Sequence, residues 1–264
     1  MIKAKKSLGQ NFLVDNNIID KIINSADVYN KNILEIGPGT GNLTLKILEK
    51  KPKSLILIEK DYILSNNLRE RFKHFKNIKV FNEDILKFDI EKNLKKNTVI
   101  IGNLPYNISS QILVKLIKFK KWLPHYEKLV LMFQKEVADK IIAKSESKEF
   151  GRISVITSSR LRITDSFQVS PNSFRPIPKI ISKVLVLEPF LNDSFKAKDI
   201  NNLEKITHLF FSMKRKMVNK AFKNLFKDYE KISSILKISL KSRPNELSNI
   251  DYFNITKIYE DNKT

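Results

Sequence analysis

The sequence predicts an α/β fold, in which a mostly parallel sheet is covered by helices on both faces and is followed by a small all-helical domain. Two observations support this. Short apolar runs without clean alternation are separated by helical patterns up to about residue 189, and only amphipathic helical patterns follow. The length of 264 residues is long for one domain and short for two full-sized ones, which favours a main domain with an appendage.

Five apolar runs of strand length form the predicted sheet. Their aliphatic and β-branched content suits strands that are buried on both faces. They are NILEIG at 32–37, SLILIE at 54–59, IKVFN at 78–82, TVIIGN at 98–103 and KLVLMF at 128–133. Helical patterns separate them, as parallel pairing requires, for example NLTLKILEK at 42–50 and ILSNNLRERFK at 63–73.

The pattern changes after the segment FRPIPKIISKVLVLEP, which ends at Pro189. Beyond it, three short stretches carry apolar residues at helical spacing: LEKITHLFFSMK, KMVNKAFKNLF and DYEKISSILK. We therefore predict two domains. Residues 1–189 form the domain with the sheet, whose strand ends are the expected place for a ligand and an active site, and residues 190–264 form a helical, basic domain.

The chain is strongly basic, with 49 Lys and Arg against 28 Asp and Glu and a formal net charge of +21. Such a charge favours a polyanionic partner, although an AT-rich genome also produces the joint richness in Lys, Ile and Asn. Between Lys214 and Arg243, ten basic residues stand against two acidic ones. The cluster predicts nucleic-acid binding by residues 190–264, and a solvated helix face is the alternative.

Composition excludes several classes of protein. The chain has no Cys, which excludes disulfides and cysteine-bound zinc, and His74, His125 and His208 are too scattered to form a ligand cluster. We therefore expect no metal. The N-terminus lacks the continuous apolar core of a signal peptide, and no segment is long and apolar enough to span a bilayer. We expect a soluble, cytoplasmic protein without a membrane partner.

The first predicted strand runs into a glycine-rich loop, EIGPGTGN, at 35–42. Ligands of such sheets lie beyond the carboxyl ends of the strands, where Gly37, Gly39 and Gly41 allow close approach to the backbone. No Lys-Ser/Thr pair follows the glycines, so a phosphate-binding P-loop is excluded. Asn42 stands where the dinucleotide fingerprint has its last glycine, so that motif also fails.

Carboxylates follow the second and third predicted strands. Glu59 ends the second, where a carboxylate accepts hydrogen bonds from both hydroxyls of a ribose. Asp84 follows the third, where a side chain can accept from an adenine amino group. Each residue alone could be a solvated strand end. Together with the glycine loop they predict a nucleoside whose other end carries a carboxylate, namely S-adenosylmethionine, and Glu35 adds negative charge near its cationic end.

The fourth predicted strand ends in GNLPYNIS at 102–109, beside this predicted cofactor site. A planar amine, such as that of adenine, is a poor nucleophile because its lone pair is delocalised into the ring. The side-chain carbonyl of Asn103 and the backbone carbonyl of Leu104 can accept its two N–H groups and aim the lone pair at a methyl group, with Pro105 holding Leu104 extended. Tyr106 would stack on the base. The alternative is an ordinary turn at a strand end.

The order of motifs along the chain resembles one family, the ribosomal RNA adenine dimethyltransferases of the kasugamycin-resistance type. The similar stretches are KSLGQNFL, LEIGPGTGNLT, IEKD, NEDIL, GNLPYNIS, FQKEVADKI and SFRPIPKIISKVLVLEP. The basic FFSMKRKMVNKAF and the later RPNELS resemble the helical C-terminal domain of the same family. The resemblance covers nearly the whole chain.

The resemblance implies a class I S-adenosylmethionine-dependent methyltransferase with a Rossmann-like sheet and no metal. It implies dimethylation of the exocyclic amines of two adjacent adenosines in the 3′-terminal hairpin of 16S rRNA, within the small ribosomal subunit or its precursor. We expect the protein to act as a monomer.

The family pattern also assigns individual residues. The cofactor-contacting positions fall on Asn11, Leu13, Gly37, Glu59, Asp84 and Asn103. Phe174 falls where the family has an aromatic beside the target base. Leu13 could instead serve plain packing, and Phe174 could be a core residue. One departure is Ile181, which stands where the family often has Asp, and this leaves the catalytic assignment intact.

Two alternatives stay open at this point. Antibiotic-resistance methyltransferases that modify one adenosine of 23S rRNA share NFL and PYNIS, but LGQNFL, GPGTG and NLPY favour the small-subunit group. A non-catalytic ribosome assembly or transcription factor on the same fold is the other alternative. The intact NLPY and the carboxylates predicted to hold the cofactor argue against it.

Overall fold

The computed structural model of the protein describes residues 10–190 and 198–262. The chain forms two compact units. One comprises the chain up to Ala138 together with Ile163–Pro189, and the other comprises Asp139–Arg162 together with the chain from Phe190. The predicted domains, 1–189 and 190–264, differ from these units in the segment Asp139–Arg162.

A seven-stranded sheet dominates the first unit, with strands in the order β4-β3-β2-β5-β6-β9-β7. The strands β2 to β6 run parallel, and β9 pairs antiparallel with β6. The bounds are β2 Asn32–Ile36, β3 Ser54–Glu59, β4 Ile78–Asn82, β5 Thr98–Asn103, β6 Tyr126–Gln134, β7 Leu161–Val169 and β9 Ser182–Pro189. The predicted mostly parallel α/β fold is thereby confirmed.

The strand order reverses at β2, which pairs with β3 on one side and β5 on the other. At such a switch point the loops that follow the two strands turn to opposite faces and leave a crevice between them. The glycine loop after β2 and the Asn103 segment after β5 therefore lie at the same crevice. The sheet thus places β2 beside β5, although the two strands are far apart in the sequence.

Helices cover this sheet, and their first turns explain where they begin. Asp15 caps α1 by accepting hydrogen bonds from Asn17 N and Ile18 N, and Asp61 caps α3 through Ile63 N and Leu64 N. The helices are α1 Asn16–Ala26, α2 Asn42–Glu49, α3 Tyr62–Arg71, α4 Ile90–Asn93 and α5 Ser109–Ile117, and α6 Lys135–Ile142 leads into the second unit.

A small second sheet was not anticipated from the sequence. β1, Phe12–Leu13, pairs antiparallel with β8, Phe174–Arg175, so that Leu13 faces Phe174. Two residues per strand carry no periodic pattern, and only the tertiary fold brings them together.

The second unit is helical. Its helices are α7 Arg152–Arg160, α8 Ile200–Phe211, α9 Asn219–Leu225, α10 Tyr229–Ile235 and α11 Asn249–Asp261. Aromatic rings form its core, where Phe210 makes edge-to-face contacts with Phe222 and Tyr252. Arg152 of α7 pairs with Glu204 of α8 at 2.6 Å, which helps explain why Asp139–Arg162 groups with the C-terminal helices. None of the helices within the described residues is long and apolar enough to cross a membrane.

Candidate active site

A pocket opens at the carboxyl ends of β2 and β5 in the first unit. The strand ends, the glycine loop and the segment around β1 line it together. The residues predicted for catalysis or cofactor binding among its lining are Asn11, Leu13, Gly37, Glu59, Asn103, Leu104, Pro105 and Tyr106, and Glu35 lines it as well. Eight of the ten residues predicted for catalysis or cofactor binding are thus brought together, and Asp84 and Phe174 are the exceptions.

The glycine loop has a backbone that needs glycine. Gly37, Gly39 and Gly41 all have positive φ, at 66°, 58° and 80°. A Cβ on Gly39 would lie 2.9 Å from the ring of Phe12, which itself lines the pocket. The missing side chain at Gly39 therefore allows the β1 segment to approach the loop.

Glu59 is buried at the end of β3, yet its carboxylate is satisfied. Oε2 accepts a hydrogen bond from Gly39 N at 3.1 Å, and Oε1 accepts one from Asp61 N at 2.8 Å. Burial raises the pKa of Glu59, and the two backbone donors oppose that rise. Each oxygen keeps a further lone pair, so two ribose hydroxyls can still donate to this carboxylate.

Glu35 is a second buried carboxylate in the pocket lining, only 1% exposed. Burial raises its pKa to about 8, while the hydrogen bond from Thr44 Oγ1 at 2.7 Å favours the charged form and the nearby Glu59 opposes it. Glu35 is therefore largely protonated near neutral pH. A cation placed beside it would favour loss of that proton.

Asp84 lies outside the pocket lining but forms an ion pair with a lysine that lines the pocket. Its Oδ2 is 2.8 Å from Nζ of Lys60, which does line the pocket, and its Oδ1 accepts from Leu86 N at 2.9 Å. The hydrogen bond from Lys60 is the main reason that the pKa of Asp84 is lowered. The carboxylate is held ionised and in a fixed direction at the edge of the pocket, and its predicted contact with adenine stays a prediction.

The orientation of the Asn103 amide is set by the N-terminal segment. Its Nδ2 donates to the backbone carbonyl of Asn11 at 2.9 Å, across 92 positions of sequence. The side-chain oxygen Oδ1 is then the atom that can accept from a ligand in the pocket. Asn11 thus contacts Asn103 through its backbone carbonyl, and the predicted role of Asn103 as the acceptor for a target amine stays a prediction.

Tyr106 is held by a residue that the sequence analysis did not single out. Its hydroxyl is hydrogen-bonded to Oγ of Ser182 at 2.7 Å, and Ser182 is fully buried at the start of β9. Burial also raises the pKa of the Tyr106 hydroxyl. The bond restricts the ring of Tyr106. Ser182 directly follows Ile181, the position at which the sequence departs from the family pattern.

Phe174 is fully buried and belongs to the hydrophobic core of the first unit. Its strand partner Leu13 is itself held by Asn42, whose Nδ2 donates to the Leu13 carbonyl at 2.9 Å. A ring without exposed surface cannot stack on a base in this conformation. The structure favours the packing interpretation of Phe174, and its predicted place beside the target base stays a prediction.

The second unit carries a basic groove, defined by its cationic lining. Its members are Arg215, Lys216, Lys220, Lys223, Lys241 and Arg243. Lys214, the first residue of the basic cluster in the sequence, has a different role. Its Nζ donates to the carbonyls of Lys148 and Phe150, both at 2.8 Å, so its ammonium group stabilises the backbone of the second unit itself.

Comparisons with known proteins agree over nearly the whole chain. The model of the family described as "Ribosomal RNA adenine dimethylase" matches residues 1–261. A protein of Pelagibacter ubique (strain HTCC1062) named "Ribosomal RNA small subunit methyltransferase A" is 46% identical over 260 residues, which cover 98% of each chain.

Two solved structures share this fold over nearly the whole chain. The crystal structure of a dimethyladenosine transferase from Plasmodium falciparum matches with a TM-score of 0.77 and 28% identity, over 96% of this chain and 98% of its own. The 23S rRNA methyltransferase ErmE matches with a TM-score of 0.69 over 95% of this chain and 100% of its own, at 21% identity. The latter likeness concerns the fold alone.

Proposed function

The chain belongs to the ribosomal RNA adenine dimethylase family, and we propose that it dimethylates the exocyclic amines of two adjacent adenosines in the 3′-terminal hairpin of 16S rRNA. The methyl donor is S-adenosylmethionine, and the substrate is the small ribosomal subunit or its precursor. The observation that carries the proposal is the junction of the glycine loop, Glu59 and the oriented Asn103 amide in one pocket.

The residues of the pocket fit this donor. Glu59 offers one acceptor on each oxygen to the ribose, and Glu35 offers a carboxyl group that becomes an anion beside a cationic ligand. Asp84 offers a fixed carboxylate to the adenine amine at the edge of the pocket. When bound, S-adenosylmethionine supplies an electrophilic methyl group on its sulfonium sulfur.

The chemistry left to the chain is positioning. Asn103 Oδ1 and the Leu104 carbonyl accept the two N–H groups of the target amine, which draws its lone pair out of the ring and toward the methyl carbon. Tyr106, restrained by Ser182, stacks on the base after it leaves the RNA stack. The nitrogen bonds to the methyl carbon as the carbon–sulfur bond breaks, and the nitrogen then gives a proton to water.

The second unit supplies the remaining contact with the substrate. Six Lys and Arg side chains line the basic groove, and phosphate groups are the ligands that such a surface attracts. We assign the groove to the rRNA backbone. Action as a monomer belongs to the same proposal, since a single chain carries both the pocket and the groove. We place the protein in the cytoplasm together with its ribosomal substrate.

Two other functions have less support. A 23S rRNA methyltransferase is disfavoured because the 46% identical relative carries a small-subunit name, whereas ErmE shares only 21% identity. A non-catalytic factor is disfavoured because the amide of Asn103 is held in the orientation that catalysis needs. A second role in ribosome assembly is compatible with catalysis.

The test is methylation of purified ribosomal subunits. The protein is incubated with labelled S-adenosylmethionine and either small subunits from a strain that lacks this modification or large subunits, and nucleoside mass spectrometry then maps the products. We expect dimethyladenosine at two adjacent positions of 16S rRNA and no label on large subunits. Label on 23S rRNA would support the first alternative, and absence of label on both substrates would support the second.

A further inference from the structure

The short turn that carries Asp84 is fixed internally by its own hydrogen bonds. The carbonyl of Asp84 accepts from Lys87 N and Phe88 N at 2.8 and 2.9 Å, and its side chain accepts from Leu86 N. These bonds shape residues 84–88, the adenine turn. The ion pair with Lys60 holds its first residue beside the pocket, whereas its later residues, up to Phe88, need a contact from elsewhere in the unit.

Lys115 of α5 supplies such a contact. Its Nζ donates to the carbonyl of Leu86 and to the carbonyl of Phe88, both at 2.7 Å. Hydrogen bonds from a charged donor are the stronger kind, and two of them from one nitrogen hold two points of the adenine turn. Burial lowers the pKa of Lys115, so the two carbonyls offset part of the cost of placing a cation there.

The other end of α5 contacts residues 103–106, the catalytic loop. Ser109, its first residue, donates from Oγ to the carbonyl of Tyr106 at 3.1 Å, and Ile108 N donates to the carbonyl of Pro105 at 3.1 Å. Six residues of helix, about 9 Å at 1.5 Å per residue, separate Ser109 from Lys115. One rigid element thus contacts the loop that meets the target amine and the turn that meets the adenine.

We propose that Lys115 is a positioning residue, which holds the adenine turn at a fixed position relative to the catalytic loop. It thereby determines how well Asp84 can accept a hydrogen bond from the amino group of the cofactor's adenine. The proposal rests on the proposed function for the identity of the ligand. Lys115 itself touches neither the target base nor the cofactor. It acts through the backbone of the turn that carries Asp84.

The experiment compares two ligands that differ only at the amino group. Titration calorimetry measures the affinities of S-adenosylhomocysteine and S-nebularylhomocysteine, in which hydrogen replaces that amine and N1 remains an acceptor, for the full-length protein and its variants. The wild-type protein should prefer the adenosine compound by about tenfold, because Asp84 accepts from the amine. Lys115→Met keeps the side-chain length and removes the donor, and the preference should fall to about twofold.

A matched control separates this role from general stability. Lys128 is also half-buried in the first unit and donates to a backbone carbonyl, that of Ser25 at 3.4 Å, but it does not line the pocket. Lys128→Met should keep the wild-type preference even if it lowers the melting temperature. Lys115→Arg, whose planar group can donate to both carbonyls, should restore most of the preference. If Lys115→Met does not fold, Lys115→Gln is judged by the same ratio.

The outcomes separate the two proposals. A Lys115→Met protein that keeps the wild-type preference would overturn the positioning role, and so would an equal loss in Lys128→Met. A wild-type protein without any preference would remove Asp84 from the adenine contact and the positioning role with it. Neither result bears on the methylation of small subunits, which is measured on wild-type protein alone.

Discussion

The pocket of the first unit and the basic groove of the second use charge in opposite ways. In the pocket, Glu35 and Glu59 are buried, and each accepts a hydrogen bond from the protein. In the groove, Lys and Arg side chains line an open surface. Buried, oriented groups give geometric selectivity, whereas an open surface on which six cations outnumber the one carboxylate of Glu246 gives attraction that salt screens. Substitutions in the pocket should therefore change chemistry and affinity for one ligand, and those in the groove should change salt dependence.

The largest expected effect is at Asn103. Asn103→Ala removes the acceptor for the target amine, and the methylation rate on small subunits should fall about 100-fold because the nucleophile is no longer aligned. Asn77→Ala is the matched control, since its Nδ2 also donates to a backbone carbonyl at 2.9 Å, that of Pro52, outside the pocket. A fully active Asn103→Ala protein would end the proposed mechanism.

The same variant tells the two transfers apart. Unmodified adenosine has two N–H groups for Asn103 and Leu104, but the monomethylated intermediate has one. If Asn103 is the acceptor kept in the second step, monomethyladenosine should accumulate in Asn103→Ala, and if Leu104 is kept, little intermediate should appear. If Asn103 only ends a turn, its replacement by Ala should lower the stability of the protein and leave the ratio of mono- to dimethyl product unchanged. Nucleoside mass spectrometry over a time course measures that ratio.

Removal of the acceptors predicted for the ribose and the adenine should have the next largest effect. Glu59→Ala and Asp84→Ala should each weaken cofactor binding by about 1.5–3 kcal/mol, as expected for hydrogen bonds to a charged group. Glu59 should show the larger loss because it is buried, whereas Asp84 is already paired with Lys60. Glu49→Ala, at an exposed carboxylate paired with Lys46, is the control in the calorimetric titration. Unchanged affinity in both variants would move the nucleoside site elsewhere.

A pH effect on cofactor affinity should follow from Glu35. Because the pKa of Glu35 is about 8 and a bound cation favours its anion, binding releases a proton below that pH. Affinity should therefore rise by up to about 50-fold between pH 6 and pH 8 and level off above, and it should stay flat in Glu35→Gln. Calorimetry in two buffers of different ionisation enthalpy counts the released protons. Equal pH profiles for both proteins would contradict the prediction.

The stability of the folded protein should also depend on pH through Glu35, and the direction of this dependence follows from its raised pKa. The pKa of Glu35 in the folded chain lies above its ordinary value of 4.5, so its contribution to stability is fully present below pH 4.5 and is lost as the pH rises through about 8. The melting temperature of Glu35→Gln should accordingly fall less than that of the wild-type protein over this range.

The smallest effect should come from the groove. Replacing Arg215, Lys216 and Lys220 with Gln should lower the salt slope of subunit binding by about one unit for each phosphate group that the variant no longer neutralises, without altering cofactor affinity. Lys214 is left in place because it donates to the carbonyls of Lys148 and Phe150. The control replaces three exposed lysines of the first unit, Lys92, Lys95 and Lys96. An equal slope change in both triple variants would point to overall charge rather than to the groove.

Local patterns were enough to predict much of this protein. The five strands and the helices between them follow from apolar periodicity, and the ends of those strands carry Gly37, Glu59, Asp84 and Asn103. Parallel strands all end at one edge of a sheet, so residues just after them meet without any detailed knowledge of packing. The fold class and most of the pocket lining were therefore accessible from the sequence.

What the tertiary structure decided depends on residues far apart in sequence. The Asn11 carbonyl fixes the Asn103 amide, Ser182 holds Tyr106, and Lys115 holds the adenine turn. Periodicity reports which face of a helix or strand is buried, but it does not report which distant donor or acceptor the side chain meets there. The burial of Glu35, which sets its pKa, likewise exists only once the surrounding chain excludes water from it.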